Sequence, residues 1–347
     1  MDEIRQRFAR YLAARMEGIT DVEIVTAARL HGGASRETYR LRARYLQEGA
    51  TVERGFVLRR DPTGSLIETE RDVEYNAYRA YHGTDVPVPE PLFLEMDGQW
   101  LDRPFFVMEE ITGCTAAPPF QPDPYGPLRD RIGTQFWNIL GAIHRADPAA
   151  RGLTRCLDMP APADCWRQAL DYWAAVIDAD ALSPQPIVQG AIRWLRRNPP
   201  PAPPRVTVIH GDYRTGNFLY DDTGTIRAVL DWEMCHLGDP HEDIAWAADP
   251  LWAFGDPTRA GTMIPTEEGL RLWTQASGMA VNPESLRWWQ VFAMVKGLAI
   301  WLSSSREYAT GSNRDPILAF SGWFCTAAHN RMLAERLRDL TLEECAA

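Results

Sequence analysis

The feature that most constrains this chain is a change of hydrophobic period near residue 113. Upstream, segments 22–30, 38–45, 55–60, 91–96 and 104–109 are rich in β-formers and are punctuated by Gly, Pro and Asp, which predicts strands. Between the third and fourth, Ile67, Val73, Ala77, Ala80 and Tyr81 recur at helical spacing over 67–81. Downstream, helical spacing governs 128–145, 163–179, 186–197, 266–277, 283–304 and 316–340. A stretch rich in Gly, Pro and Ala at 112–124 joins the two regions. The pattern predicts an α+β chain of two lobes: a sheet with one helix over 1–111, and a mainly helical lobe over 112–347.

Charge and cysteine usage narrow the function classes. With 36 Lys+Arg against 47 Asp+Glu, the net charge of −11 has the wrong sign for a protein that grips a nucleic-acid backbone. The six cysteines are scattered and form no Cys-x-x-Cys pair, so neither a disulfide framework nor a zinc site is expected. Residues 1–16 alternate charged and apolar positions and lack the apolar core of a signal peptide. The apolar run 291–302 contains Lys296 and is too short to cross a bilayer. A cytoplasmic protein without nucleic-acid or membrane partners is expected.

One β-like island, 205–232, interrupts the helical region after the proline-rich break at 199–204. It reads His210-Gly-Asp-Tyr-Arg-Thr-Gly-Asn217-Phe-Leu-Tyr, a turn at Asp221-Asp-Thr-Gly224, then Ile226-Arg-Ala-Val-Leu-Asp231-Trp-Glu233. Strand 206–209 delivers Asp212 to its end, and a hairpin of 218–220 with 226–230 holds Asn217 and Asp231 at its outer ends. Antiparallel pairing brings those ends together. Phosphoryl transfer calls for this trio: one carboxylate orients or accepts the proton of an attacking hydroxyl, while a carboxylate and an amide oxygen hold a hard cation against nucleotide phosphates.

The spacing His-Gly-Asp-x4-Asn, followed by an Asp after a strand, resembles the catalytic loop and metal site of the aminoglycoside phosphotransferase and choline kinase-like families, relatives of protein kinases. The resemblance implies a bilobal protein-kinase-like fold, ATP or GTP as co-substrate, Mg2+, and a small-molecule hydroxyl as acceptor. It makes Asp212 the catalytic base and Asn217 and Asp231 the metal ligands. His31-Gly-Gly-Ala-Ser-Arg lies between two predicted strands and is similar to the family's phosphate loop, with Gly32, Gly33 and Ser35 near the nucleotide. In Phe56-Val-Leu-Arg-Arg60, an arginine stands where kinases carry a lysine. Strand parity selects Arg59, with Val57, over Arg60. Glu74 is its expected helix partner, with Glu70 in reserve. In Phe105-Phe-Val-Met-Glu-Glu-Ile, the resemblance sets Met108 against the base, and the Glu109 carbonyl and Ile111 amide at its edge.

Asp239 and Asp243 are read as capping the next helix and fixing the loop, His210 as orienting it, and His144 as a packing residue. The segments around Arg59, Asp231 and 301–311 look most like kinase-like domains related to those fused to acyl-CoA dehydrogenases, which implies a hydroxy acid or hydroxyacyl-CoA as acceptor. Arg193, Arg196, Arg197, Arg287, Arg306 and Arg314 are available for its anionic groups. Two alternatives stand beside this reading: an aminoglycoside or macrolide phosphotransferase, and a nucleotide-binding pseudokinase scaffold.

Overall fold

The computed structural model describes residues 1–30, 37–61, 71–254 and 256–346. Helix α1 (Asp2–Arg15) precedes strands β1 (Ile19–Leu30), β2 (Glu37–Gln47) and β3 (Ala50–Arg60), helix α2 (Arg71–Tyr81), and strands β4 (Pro91–Glu95) and β5 (Phe105–Glu109). The five strands form one antiparallel sheet in the order β1-β2-β3-β5-β4. Strand β3 begins earlier than the expected residue 55, because Thr51-Val-Glu-Arg54 has too few apolar residues to advertise a strand. The two-residue turn Glu48-Gly49 has φ of 50° and 79°, a geometry that matches the twist of the flanking strands. It keeps β2 and β3 in step from Gln47↔Ala50 to Glu37↔Arg60.

Alternation then sorts the sheet into two apolar faces. Phe56, Leu58, Phe105 and Val107 pack with Phe8, Tyr11 and Leu12 of α1. Val57, Phe106 and Met108 face the other way, onto Val73, Ala77 and Tyr78 of α2. Arg59 shares the parity of Val57 and so lies on the α2 side. Arg60 takes the opposite side, where it bonds Glu37 and the Tyr39 hydroxyl.

The remainder is mostly helical: α3 (Arg129–Arg145), α4 (Cys165–Asp180), α5 (Pro186–Arg197), α6 (His241–Ala247), α7 (Thr266–Ser277), α8 (Pro283–Thr310), α9 (Pro316–Phe320) and α10 (Thr326–Ala346). Helix α8 is buried on every side between Trp288 and Ser304, and α4, α5, α6 and α10 pack around it. Asn282 caps its start by accepting from the Glu284 and Ser285 amides. It runs past the expected residue 304 because its stop signal is Gly311, at φ 78°. The expected single helix 316–340 is broken by a π turn at Ser321–Cys325. There Gly322 lets α8 approach: a Cβ would stand 2.2 Å from Ser305 Oγ and 3.1 Å from its Cα. Among the described residues no helix is long and apolar enough to cross a membrane.

Short strands thread this helical part. β6 (Cys114–Thr115) lies in the linking segment and pairs with β8 (Phe218–Asp221), which pairs in turn with β9 (Ile226–Val229). β7 (Thr207–Ile209) pairs with β10 (His236–Gly238).

Close helix contact at Gly141 anchors α3, whose His144 reaches the site. A Cβ at Gly141 would meet the Ala276 Cβ at 2.5 Å and the Ser277 amide nitrogen at 3.0 Å on α7. Gly141→Ala is expected to lower unfolding free energy by about 1–3 kcal/mol, measured by urea titration; an unchanged midpoint would contradict the close packing.

Candidate active site

The loop after β7 is held from behind by a buried carboxylate. Asp243, 0% exposed in the first turn of α6, accepts from the His210 amide at 2.7 Å, the Gly211 amide at 2.9 Å and His144 Nε2 at 3.1 Å. Burial pushes its carboxyl up, but the hydrogen bond and charge of His144 lead a set of opposing influences that bring it down to about 2. Asp243, expected in part as a helix cap, lies inside the helix and bonds the loop. His144, read as packing alone, orients that carboxylate while accepting from Trp273 Nε1 at 2.9 Å. Gly211 has φ 85°, and a Cβ there would stand 2.4 Å from the Met234 carbonyl oxygen, so only glycine fits.

His210 is buried, and burial pushes its pKa below the usual value. Its Nδ1 accepts from the Asp212 amide at 3.1 Å, so Nε2 carries the proton and donates to the Leu230 carbonyl at 2.9 Å. The neutral ring ties the loop to the segment entering Asp231. Lys296, the lone charge of the apolar run, bonds the Gly211 carbonyl at 2.5 Å and Glu242 Oε1 at 2.8 Å. Burial pushes Glu242 up, while Lys296 and then His236 bring it down to about 2.

The trio meets in two linked groups. Asp212 Oδ2 accepts from Asn217 Nδ2 at 2.6 Å, and Oδ1 accepts from Trp246 Nε1 at 2.7 Å and Arg214 Nε at 3.0 Å. Asn217 Nδ2 also donates to the Asp212 carbonyl at 2.9 Å, and the Leu230 amide donates to the Asn217 carbonyl at 2.8 Å. The amide orientation is thereby fixed, and among the described residues Asn217 Oδ1 has no hydrogen-bond partner, which suits it to a cation. Asp231 sits in the left-handed region at φ 61°, its amide donating to the Tyr78 hydroxyl at 3.1 Å.

Arg59 connects Asp231 to the sheet and α2. Its Nη1 bonds Glu74 Oε1 at 2.5 Å and Asp231 Oδ1 at 2.6 Å, and Nη2 lies 3.7 Å from Glu233. Burial opposes its charge, but Glu74, then Asp231 and Glu233, outweigh that and raise its pKa well above the ordinary value. Partial burial pushes the Asp231 carboxyl up, and the charge and hydrogen bond of Arg59 outweigh it and hold the group below the usual range. Arg59 Nε is buried without a partner among the described residues. Asp231 keeps a 41% exposed side chain. An amide oxygen at Asn217 and a carboxylate at Asp231 are donor types that would suit Mg2+. Among the described residues no group of three His, Cys, Asp or Glu side chains could hold a metal alone.

The other expected residues lie as follows. Gly32, Gly33, Ser35 and the reserve Glu70 fall outside the described residues. Met108 is 6% exposed in the cluster shared with α2. Glu109 Oε1 accepts from the Glu90 amide at 2.9 Å, and Ile111 follows where the chain leaves the sheet. Arg214, Trp246, Lys296 and Tyr78 were missed. Signals existed for two: Trp246 follows Asp243 at i, i+3 on one helix face, and Lys296 interrupts an apolar run. A cavity of about 320 Å³ between α2, α4 and the 233–238 segment reaches Lys296 and Glu233, but Asp212, Asn217 and Asp231 do not line it.

The model of the phosphotransferase enzyme family matches residues 26–287. The chain belongs to that family. Mouse (Mus musculus) acyl-CoA dehydrogenase family member 10 is 30% identical to this chain over 293 residues, 80% of this chain and 26% of that protein. The chain thus spans about a quarter of that relative's length. A solved candidate aminoglycoside phosphotransferase from Ralstonia eutropha superposes with a TM-score of 0.73 at 21% identity, over 96% of this chain and 98% of the other. Aminoglycoside phosphotransferase APH(4)-Ia, solved with ADP and hygromycin B, gives a TM-score of 0.59 at 16% identity, over 97% and 98%. These likenesses establish the kinase-like fold. Family membership and fold are thus those that the motif resemblance implied.

The buried carboxylates make the fold acid-sensitive. Folded-state values of about 2 for Asp243 and Glu242 lie below their ordinary 3.8 and 4.5. Each contributes stability that is present above its ordinary value and lost as pH falls towards 2, of order 2–3 kcal/mol apiece. Urea midpoints should therefore fall steeply between about pH 4.5 and 2, and less steeply in Asp243→Asn and Glu242→Gln. Equal slopes in all three proteins would contradict the assignment.

Proposed function

We propose that the chain transfers the γ-phosphate of ATP or GTP to the hydroxyl of a small molecule, a hydroxy acid or its CoA thioester, as a cytoplasmic enzyme. The lobe over 1–111 holds the nucleotide, and the lobe over 112–347 holds the catalytic loop and acceptor. The observation that carries this reading is the joining of two groups: Asp212 bonded to Asn217, and Asp231 clamped through Arg59 to Glu74. Asp212 aligns the acceptor hydroxyl and takes its proton as the new O–P bond forms. The bond between the γ-phosphorus and the β,γ-bridging oxygen breaks, and ADP leaves with that electron pair. Arg59 keeps Asp231 in place and sets a buried positive charge behind the phosphate side of the site. Asn217 Oδ1 and Asp231 would hold Mg2+, which supplies charge neutralisation at the phosphates.

Gly32, Gly33 and Ser35 are proposed to cover the phosphates, and Met108, Glu109 and Ile111 to receive the base. A scaffold that merely binds nucleotide has no physical need for a hydroxyl-orienting carboxylate held by three donors, and this weighs against the pseudokinase reading. An antibiotic acceptor is the second reading, because a similar structure was solved with hygromycin B.

Asp212→Asn is expected to lower kcat by roughly 10²–10⁴-fold while the thermal shift given by ATP with Mg2+ persists. Undiminished turnover in that variant would sink the mechanism. Expression in a susceptible host is expected to leave aminoglycoside and macrolide sensitivity unchanged; acquired resistance would select the antibiotic reading.

A further inference from the structure

The arginines first considered for acceptor anions are partly engaged elsewhere: Arg196 pairs with Asp171 at 3.0 Å, and Arg306 pairs with Asp180. The arginine that touches the expected base is Arg214, two residues further along the same loop. Its Nε donates to Asp212 Oδ1 and its Nη1 to the Thr215 carbonyl, both at 3.0 Å. Its Nη2 makes no hydrogen bond to any described residue. The guanidinium lies 4.6 Å from the ring centre of Trp252 and is 21% exposed. Contact with the ring uses none of its donors, so Nη2 keeps two N–H groups without a described partner on a side chain bonded to the base.

Beyond Trp252 the surroundings are aromatic. Phe120 stacks on Trp252 at 6.2 Å, and Phe254, Phe320 and Phe324 surround Phe120 at 6.4, 6.1 and 5.7 Å. Phe254 and Phe320 are 37% and 40% exposed. Phe324 lies on the π turn, and Arg214 exerts its charge on Cys325 of the same turn. A π turn inside a long helical segment frequently marks a functional site. A charged donor at the base and an open set of rings beside it describe two halves of one ligand.

Resting on the kinase reading above, we propose that Arg214 and this aromatic wall form the acceptor subsite. Arg214 takes a carbonyl oxygen of the acceptor, from a carboxylate or a thioester, while its Nε holds Asp212, and the rings take an aliphatic body. Charge at Arg214 disfavours an acceptor with an ammonium near its hydroxyl. Arg214 is thus a specificity residue as well as a positioning one, and those roles separate experimentally.

The test compares kcat and KM of wild type, Arg214→Gln and Arg214→Lys on 4-hydroxypentanoate, its CoA thioester and 5-aminopentan-2-ol, with ATP and Mg2+. Wild type should favour the carbonyl acceptors by roughly a hundredfold. Arg214→Gln should lose that preference, with most of the loss in KM for the carbonyl acceptors, and Arg214→Lys should restore part of it. A larger loss on the acid than on the thioester identifies a carboxylate, and a larger loss on the thioester identifies its carbonyl; either supports the subsite. Phe320→Ala should cost 4-hydroxydecanoate about tenfold more in kcat/KM than 4-hydroxypentanoate.

Equal losses on all three acceptors would reduce Arg214 to a support for Asp212 and overturn the inference. Activity on the amino alcohol alone would keep the kinase and also overturn it. Turnover of no acceptor by a wild type that binds ATP would overturn the kinase reading, and this inference with it.

Discussion

The site depends on one buried carboxylate. Asp243 receives two consecutive backbone amides, those of His210 and Gly211, and a histidine behind them. Charged acceptors make short, strong hydrogen bonds in a water-excluded interior, and leaving those amides unpaired there would be costly. With the backbone fixed, His210 can pass the constraint on in two directions: to the Asp212 amide and to the Leu230 carbonyl. Lys296 secures the other side of the loop at the Gly211 carbonyl. Asp212 and Asp231 thus hang from the same frame, although 18 residues of intervening chain turn through a hairpin between them.

Arg59 ties this frame to the sheet. A lysine offers one compact charge, whereas the guanidinium fork reaches Glu74 and Asp231 from a single nitrogen and approaches Glu233 with another. Desolvating such a set is expensive and gives little net stability. Its value lies in position: β3, α2 and Asp231 share one arginine, so the sheet cannot shift without moving Asp231. Tyr78 adds a second tie through the Asp231 amide, which helps hold a left-handed aspartate in place.

Much of this was legible in the sequence because it rests on local rules. The order of strands and helix in the first third follows from period and punctuation, and the face of Arg59 follows from strand parity. The convergence of Asn217 and Asp231 follows from hairpin pairing, realised as the Leu230 amide bonding the Asn217 carbonyl. What sequence hid is long-range. Nothing local says that Trp246 and Arg214 share one oxygen of Asp212, or that Lys296 reaches a loop 85 residues away. Helix ends were misjudged where polar residues such as those at 304–307 continue a helix that only Gly311 stops. The π turn at Ser321–Cys325 answers to the close approach of Ser305, which no period in the sequence records.

The chemical event proposed for this site is a new oxygen–phosphorus bond on an acceptor hydroxyl. Phosphorus NMR of the wild-type protein with ATP, Mg2+ and a panel of hydroxy acids, their thioesters, amino alcohols and sugars observes that bond directly. The account predicts a new phosphomonoester resonance that grows in step with ADP. ADP and inorganic phosphate without any phosphomonoester, or bound nucleotide that never turns over, would contradict it.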